Sequence, residues 1–376
     1  MKRICGRDPE TGKAIQVDIL HGRITSIGHE ASEETSWLSP GLIDLQVNGY
    51  GGFDLNAEGL TPEVVCEVAR RVLETGVTTF LPTLITASEA RIVAALRAIA
   101  EARRQDSRLA HMIPGVHIEG PHLSPEDGAR GAHPREHIRP PSLEEFAYWQ
   151  EACGGLVTLV TVSPHFPQIA AYVAALRGQG VHVSLGHSHC TADEVRVAVE
   201  AGAELSTHLG NGVAGSLPRH PNLLWAQLAE DRLMAMLIAD GHHLPVDTLK
   251  VMLRAKGLDR TILVSDAVAL AGMPAGAYDA AVGGHVELSP EGRLCMAETP
   301  FLAGAALPLK DGVAHVVRAA GMSLGSALRM ATVNPGRFVG GRGRLEVGAE
   351  ADLVLFQIDD HGAIKIEQTV VEGEPW

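Results

Sequence analysis

The chain has 376 residues, 45% hydrophobic and 20% charged, with 31 basic against 45 acidic side chains and a formal net charge of −14. That balance argues against nucleic acid or an anionic membrane as the main partner, since both demand a basic footprint, but leaves room for a local cationic pocket for a small anion. Five scattered cysteines without a CxxC spacing (Cys5, Cys66, Cys153, Cys190, Cys295) exclude a disulfide framework and a thiolate zinc knot. The N-terminal MKRICGRDPETG lacks an apolar stretch long enough for a signal peptide and no run approaches ~18 apolar residues, so a cytoplasmic protein with reduced thiols is expected.

Residues 1–38 read as short β segments (AIQVDIL, RITSIGH) broken by a turn, and 342–376 read likewise (RLEVGAEADLVLF, then GAIKIEQTVVEGEP). Both chain ends together predict a small flanking β-domain, a β-sandwich. Between them, residues 39–341 alternate apolar β-like runs with helical periodicity. Eight strands are expected, at 42–47, 77–82, 113–118, 156–162, 181–186, 204–208, 233–239 and 261–265. Helical patterns fall between several of them, for example 61–74, 88–104, 168–178, 191–201 and 245–256, with helix starts at Thr61-Pro62 and Thr191. This alternation predicts an α/β chain built on a (β/α)8 TIM-like barrel, and no GxGxxG or Walker motif supports a doubly wound nucleotide-binding sheet. Residues 121–145, rich in Pro, Gly and His, are long for a connection and read as a functional loop. Residues 267–304 are expected to hold an irregular hairpin, DAAVGGHVELSPEGRLC, and a Gly-rich return.

Polar residues stand at the ends of four predicted strands: Glu119 in VHIEGPH, His187 in VSLGHSH, His208 in ELSTHLGN and Asp266 in TILVSDA. Two histidines and a carboxylate at one barrel mouth make a three-ligand metal site with room for water, the arrangement of a hydrolytic metal. Singly, each has a plainer reading. Glu119 could be a structural ion pair, each histidine a satisfied structural one, and Asp266 a cap or loop carboxylate. Together they favour a metal site, with Asp266 placed to take a proton from water and return it to a leaving group. His182 and His189 compete with His187, but one lies inside the strand and the other starts the next loop. In the loop, His133 of RGAHPRE is a candidate donor to a substrate carbonyl, or simply a solvated histidine. Arg219 in GSLPRHP and His243 in ADGHHL could make a small anion pocket, or be ordinary exposed side chains. Cys190, His117, His122 and His242 are set aside.

These stretches, with PGLIDLQVNGYGG at 40–52, GVTTFLPTLITAS at 76–88, GVHIEGPHLSPEDGARGAHPRE at 115–136 and the tail ALRMATVNPGRFVG…GRLEVGAEADLVLF, resemble the amidohydrolase superfamily and, within it, the N-acetylglucosamine-6-phosphate deacetylases. The resemblance runs the length of the chain. It implies Glu119, His187 and His208 on a divalent metal, Asp266 as general base and then acid toward an acetamide, and His133 on the acetyl carbonyl. It also implies Asn211, Gly212 and His243 on the sugar phosphate, Ala132 and Leu302 beside the sugar, and Arg219 reaching the phosphate of a neighbouring subunit in a homodimer. Where many amidohydrolases carry His-x-His, this chain has Gln46-Val47-Asn48, so one metal per chain is expected. Zinc is expected there, and iron, manganese or cobalt would also suit the set. Gly210, Gly212-Val213, His220 and Ala303-Gly304-Ala305-Ala306 depart from the family's pocket pattern, which leaves N-acetylgalactosamine 6-phosphate or another amide as an alternative substrate. A non-catalytic, amidohydrolase-like binding or regulatory protein is the alternative of another class.

Overall fold

The computed structural model describes residues 1–29, 34–280, 284–299 and 301–376. Eight parallel strands form the central sheet: β1 (Leu42–Val47), β2 (Val77–Ile85), β3 (Val116–Glu119), β4 (Val157–Val162), β5 (His182–Leu185), β6 (Leu205–Ser206), β7 (Met234–Ile238) and β8 (Thr261–Val264), paired in that order. The ends of this series meet and close it into a barrel. Val47 pairs with Ala267 beyond the end of β8, and the buried Asp44 carboxylate of β1 accepts the Ser265 main-chain N–H at 3.2 Å. At the other end, Ile43 N donates to Ala331 O and Leu263 N to Met330 O.

The helices start and stop where local chemistry supplies partners. Pro62 occupies the first turn after Thr61, where its missing N–H costs nothing, and the helix continues to Leu73. Thr191 and Glu194 form a reciprocal capping box ahead of Ala192–Glu200. Leu143–Cys153 is a helix that the sequence reading left out; Ser142 caps it and Gly154, at φ +66°, ends it. The functional loop therefore stops at residue 142.

Inside the barrel the two-residue period of each strand sorts side chains into layers. Ile43, Leu45, Leu81, Leu159 and Leu205 belong to an apolar floor. One step up, His117 Nε2 accepts from Thr161 Oγ1 at 2.7 Å, Thr161 pairs with Thr207 Oγ1 at 2.7 Å, and Thr207 pairs with Ser184 Oγ at 2.5 Å. The next residues on these strands lie at the mouth, where Glu119 follows His117 by one step of the alternation.

The chain ends form a seven-stranded sheet in which Trp37–Pro40 pairs antiparallel with Leu353–Ile358. Ile15, Val17, Ile24, Leu38, Leu353 and Val370 pack a separate core there. After β8 the chain forms a four-stranded antiparallel sheet (Gly276–Ala280, Gly284–Leu288, Arg293–Met296, Leu302–Ala305), larger than the hairpin expected from sequence. Residues 281–283, at its first turn, lie outside the described residues. Its apolar side, with Val286, Leu288 and Leu294, packs against Val268, Leu270 and Met273, which sets the sheet over the mouth.

Candidate active site

Glu119 ends β3, His187 follows β5, His208 follows β6 and Asp266 follows β8. Glu119, His187 and His208 are buried and Asp266 is half-buried. The last three adopt left-handed backbone, with φ of +46°, +28° and +53°. Such a conformation costs roughly 1–2 kcal/mol for a residue with a Cβ. It turns each side chain off the strand direction and into the mouth.

The candidate ligand atoms converge. His208 Nε2 lies 3.0 Å from Glu119 Oε1 and 2.9 Å from His187 Nε2, and His187 Nε2 lies 3.3 Å from Glu119 Oε1. His187 Nδ1 donates to Ala129 O at 2.9 Å, which places the proton on that nitrogen and leaves the Nε2 lone pair facing Glu119. Burial opposes ionisation of Glu119, but hydrogen bonds and charge from His187 and His208 hold its carboxyl well below the usual range. Three lone-pair donors within about van der Waals contact, one of them anionic, suit a single divalent cation. A second candidate group, His111, Glu350 and Asp352, lies where Arg342 pairs with Glu350.

The ring of His187 lies between two glycines. A Cβ on Gly212 would stand 2.7 Å from His187 Nδ1, and one on Gly131 3.2 Å from its Cε1. Gly212, at φ +59°, thus has two reasons to be glycine.

His133 approaches from the loop, with Nε2 3.2 Å from His187 Nε2. The Thr86 main-chain N–H, at 3.4 Å, donates to His133 Nδ1, and the Thr86 hydroxyl is 2.9 Å from the same atom. Accepting at Nδ1, the ring carries its proton on Nε2, toward the site. Burial first, then the neighbouring His187, keeps His133 neutral.

Asp266 accepts from Asn48 Nδ2 at 2.7 Å. Burial, and secondarily the Glu119 carboxylate, pushes its carboxyl up to about 8. A cation bound by Glu119 would oppose that rise. Gln46 Nε2 donates to Glu119 Oε1 at 2.9 Å. The Gln-x-Asn segment therefore supplies one amide donor to each of the two carboxylates.

A cavity of about 460 Å³ joins Glu119, His187, His208, Asp266 and His133 with Ala132, Asn211, Gly212, His243 and Leu302. Asn211 Nδ2 is buried without a partner among the described atoms, a donor left for a ligand. His243 Nδ1 is 2.7 Å from Asp240 Oδ2, which fixes its ring. Arg219 is the exception: it is exposed on the 214–221 loop and does not line this cavity. Of the competing histidines, His189 pairs with Ser124 and stacks 4.5 Å from His165, while His182 binds Glu204. His122 stacks on Trp149, and His242 reaches Glu291 O at 3.0 Å.

Sequence reasoning missed four positioning contacts, those of Gln46, Asn48, Thr86 and Asp240. The signal for two of them was present, since Gln46 and Asn48 stand at a strand end exactly as the ligands do. In sequence they stand where many amidohydrolases carry histidines; in the structure they are donors.

A barrel with a flanking β-domain, and a Glu/His/His/Asp cluster at the C-terminal ends of its strands, defines a metal-dependent hydrolase, and residues 37–375 match the amidohydrolase family. The chain belongs to that family. It is 35% identical over 352 residues to the N-acetylglucosamine-6-phosphate deacetylase of Bos taurus, covering 90% of this chain and 82% of that protein. It is 31% identical to the N-acetylgalactosamine-6-phosphate deacetylase of Escherichia coli O157:H7, covering 90% and 87%. Among solved structures, N-acetyl-D-glucosamine-6-phosphate deacetylase from Mycobacterium smegmatis, in complex with N-acetyl-D-glucosamine 6-phosphate, matches with a TM-score of 0.85 at 28% identity over 96% of this chain and 94% of that one. No helix among the described residues is long and apolar enough to cross a membrane.

Proposed function

We propose that the chain hydrolyses the acetamide of N-acetylglucosamine 6-phosphate to glucosamine 6-phosphate and acetate. The observation that carries this reading is the convergence of Glu119, His187 and His208 in the cavity that also holds Asp266 and His133. These three ligands would hold one divalent ion, for which zinc is the proposed identity, and when bound it supplies Lewis acidity toward the amide oxygen and toward water. His133, neutral and protonated on Nε2, donates to the carbonyl oxygen as negative charge builds there. Asp266 accepts a proton from the attacking water. It then delivers that proton to the amide nitrogen as the C–N bond breaks, so that a neutral amine leaves.

The phosphate is assigned to the side of the cavity formed by Asn211, Gly212 and His243. Arg219 is exposed and does not line its own cavity, which is compatible with a homodimer in which it serves the neighbouring subunit's phosphate. Arg219→Ala is then expected to raise KM for the phosphorylated sugar while leaving turnover of the unphosphorylated one unchanged. The chain is placed in the cytoplasm, where its five thiols stay reduced.

Acetate release from N-acetylglucosamine 6-phosphate, its galactosamine epimer and the two unphosphorylated sugars tests the reading. Fast turnover of the first alone supports it. Turnover confined to the galactosamine epimer replaces the sugar and keeps the chemistry; the 31% identity to a deacetylase of that sugar makes this the second reading. A metal-loaded protein that releases acetate from none of them overturns it.

A further inference from the structure

A second, smaller cavity adjoins the site. It has a volume of about 100 Å³ and lies between the end of β2 and the helix Glu89–Gln105. Asp54, Asn56 and Ile85 line both cavities, so the two are neighbours across a shared rim. Beyond that rim the walls are mostly apolar, with Leu84, Ala87, Ile92 and Ala95 all buried.

Both side-chain polar atoms of Asn56 and one Asp54 oxygen at the rim are already engaged. Asn56 Nδ2 donates to Thr83 O at 2.9 Å, its Oδ1 accepts from Ile85 N at 2.8 Å, and Asp54 Oδ1 accepts from Asn56 N at 2.8 Å. Arg91 donates to Asn56 O. The inner walls, unlike the rim, present apolar surface. A small cavity of that kind gains by filling with carbon rather than with water.

Its position identifies the carbon. Thr86, which holds His133 Nδ1, also lines this pocket. The pocket thus begins on the far side of the residue that positions the carbonyl donor. In a closed barrel of eight strands, β2 stands opposite β6, and β6 leads to Asn211 and Gly212 on the phosphate side. An amide substrate anchored there by its phosphate runs from sugar to nitrogen to carbonyl, and then on toward β2 with its acyl tail.

Building on the deacetylase reading above, we propose that this side pocket is an acyl-tail subsite, and that the chain hydrolyses N-acyl amino-sugar phosphates carrying straight three- or four-carbon acyl groups as well as acetyl. The volume is about three times the ~30 Å³ that one water occupies in the liquid, room for the one or two extra methylenes.

The test compares kcat/KM for the N-acetyl, N-propionyl and N-butyryl forms of glucosamine 6-phosphate on wild type, Ala95→Leu and Ala87→Val, all metal-loaded. Both substituted positions line the side pocket and neither lines the central cavity. Wild type is expected to process all three within about tenfold of one another. Each variant is expected to keep acetyl turnover and lose butyryl turnover by about tenfold or more, the scale of a misfit methylene in an apolar pocket. Acetyl turnover serves as the check on folding, and Ala87→Val repeats the test from the strand side should the helix not tolerate leucine. Acetyl turnover with propionyl and butyryl down more than about a hundredfold in wild type overturns the subsite alone. So do acyl ratios that are the same in wild type and both variants. No release from any of the three substrates, nor from the N-acetyl and N-butyryl forms of the galactosamine epimer, overturns the deacetylase reading, and the subsite with it.

Discussion

Asn48 Nδ2 donates to Asp266 Oδ1 at 2.7 Å, joining the end of the first barrel strand to the carboxylate that follows the last. A donor to a carboxylate favours its ionised form and lowers its pKa, against burial and Glu119, which raise it to about 8. Removing the donor by Asn48→Ala must raise it further. Because a base works only when deprotonated, the acid limb of the kcat–pH profile of the metal-loaded protein should move to higher pH, with the loss recovered as pH rises. An acid limb that does not move would remove Asp266 from the role of base.

Asp266→Asn keeps the shape of the side chain and removes the proton acceptor. It is expected to lower kcat by about 10²–10⁴-fold while substrate still binds. Single-turnover kinetics alongside a binding titration separate the two quantities, and turnover near wild type rejects the assignment.

Gln46 donates to Glu119, the proposed metal ligand. Gln46→Leu should weaken metal affinity by about 10–100-fold, the usual effect of losing a partner that orients a ligand. Competition with a chelator of known affinity reads this directly. Chelation of wild type should also lower Tm, since a metal bound only to the folded chain stabilises it.

Asp240 fixes the ring of His243 from behind, at 2.7 Å. Burial works against its ionisation, yet the hydrogen bond and charge of His243 hold its carboxyl below the ordinary range. Asp240→Asn is expected to raise KM for the phosphorylated sugar by about tenfold, the scale of one charge-assisted hydrogen bond, with kcat less affected. An equal fall in kcat for phosphorylated and unphosphorylated sugars would point to a folding defect instead.

Lys256 is 1% exposed, and its Nζ donates to Gln227 O and Glu230 O just past the helix Leu223–Ala229. Burial pushes its pKa down to about 8 from 10.5. The folded chain therefore releases this proton before the unfolded chain does. Its contribution is lost as pH falls through about 8 and is fully present only above 10.5. The difference in Tm between wild type and Lys256→Met should thus shift in favour of wild type from pH 7 to pH 10. A constant difference would contradict the depressed pKa.

The eight barrel strands were legible because each is an apolar run that stops at a polar residue or glycine, a pattern a single sequence displays. Leu143–Cys153 was not, because its start, LEE, continues the polar composition of the loop before it. The residues of the Glu119, His187 and His208 cluster could be picked out from strand ends alone. What lay hidden was what orients it. Asn48 and Asp266 are 218 residues apart, Thr86 and His133 are 47 apart, and the Ala129 carbonyl that fixes His187 has no side-chain signature at all. Contacts of that kind exist only once the barrel has closed. The sheet after β8 was also underestimated, since its strands are short and separated by glycines that read as loop.

The left-handed backbone at His187, His208 and Asp266 sets local stability against chemistry at three positions of one site. Glycine at any of them would release the conformational penalty and remove the group that does the work. Selection of variants by heat tolerance alone should therefore enrich glycine or asparagine at Asp266, which is outside the proposed ligand set and whose loss need not cost the metal, and yield a hardier protein that turns nothing over. A thermostabilisation programme for this chain needs an activity screen at every round, because its easiest gains lie where its function resides.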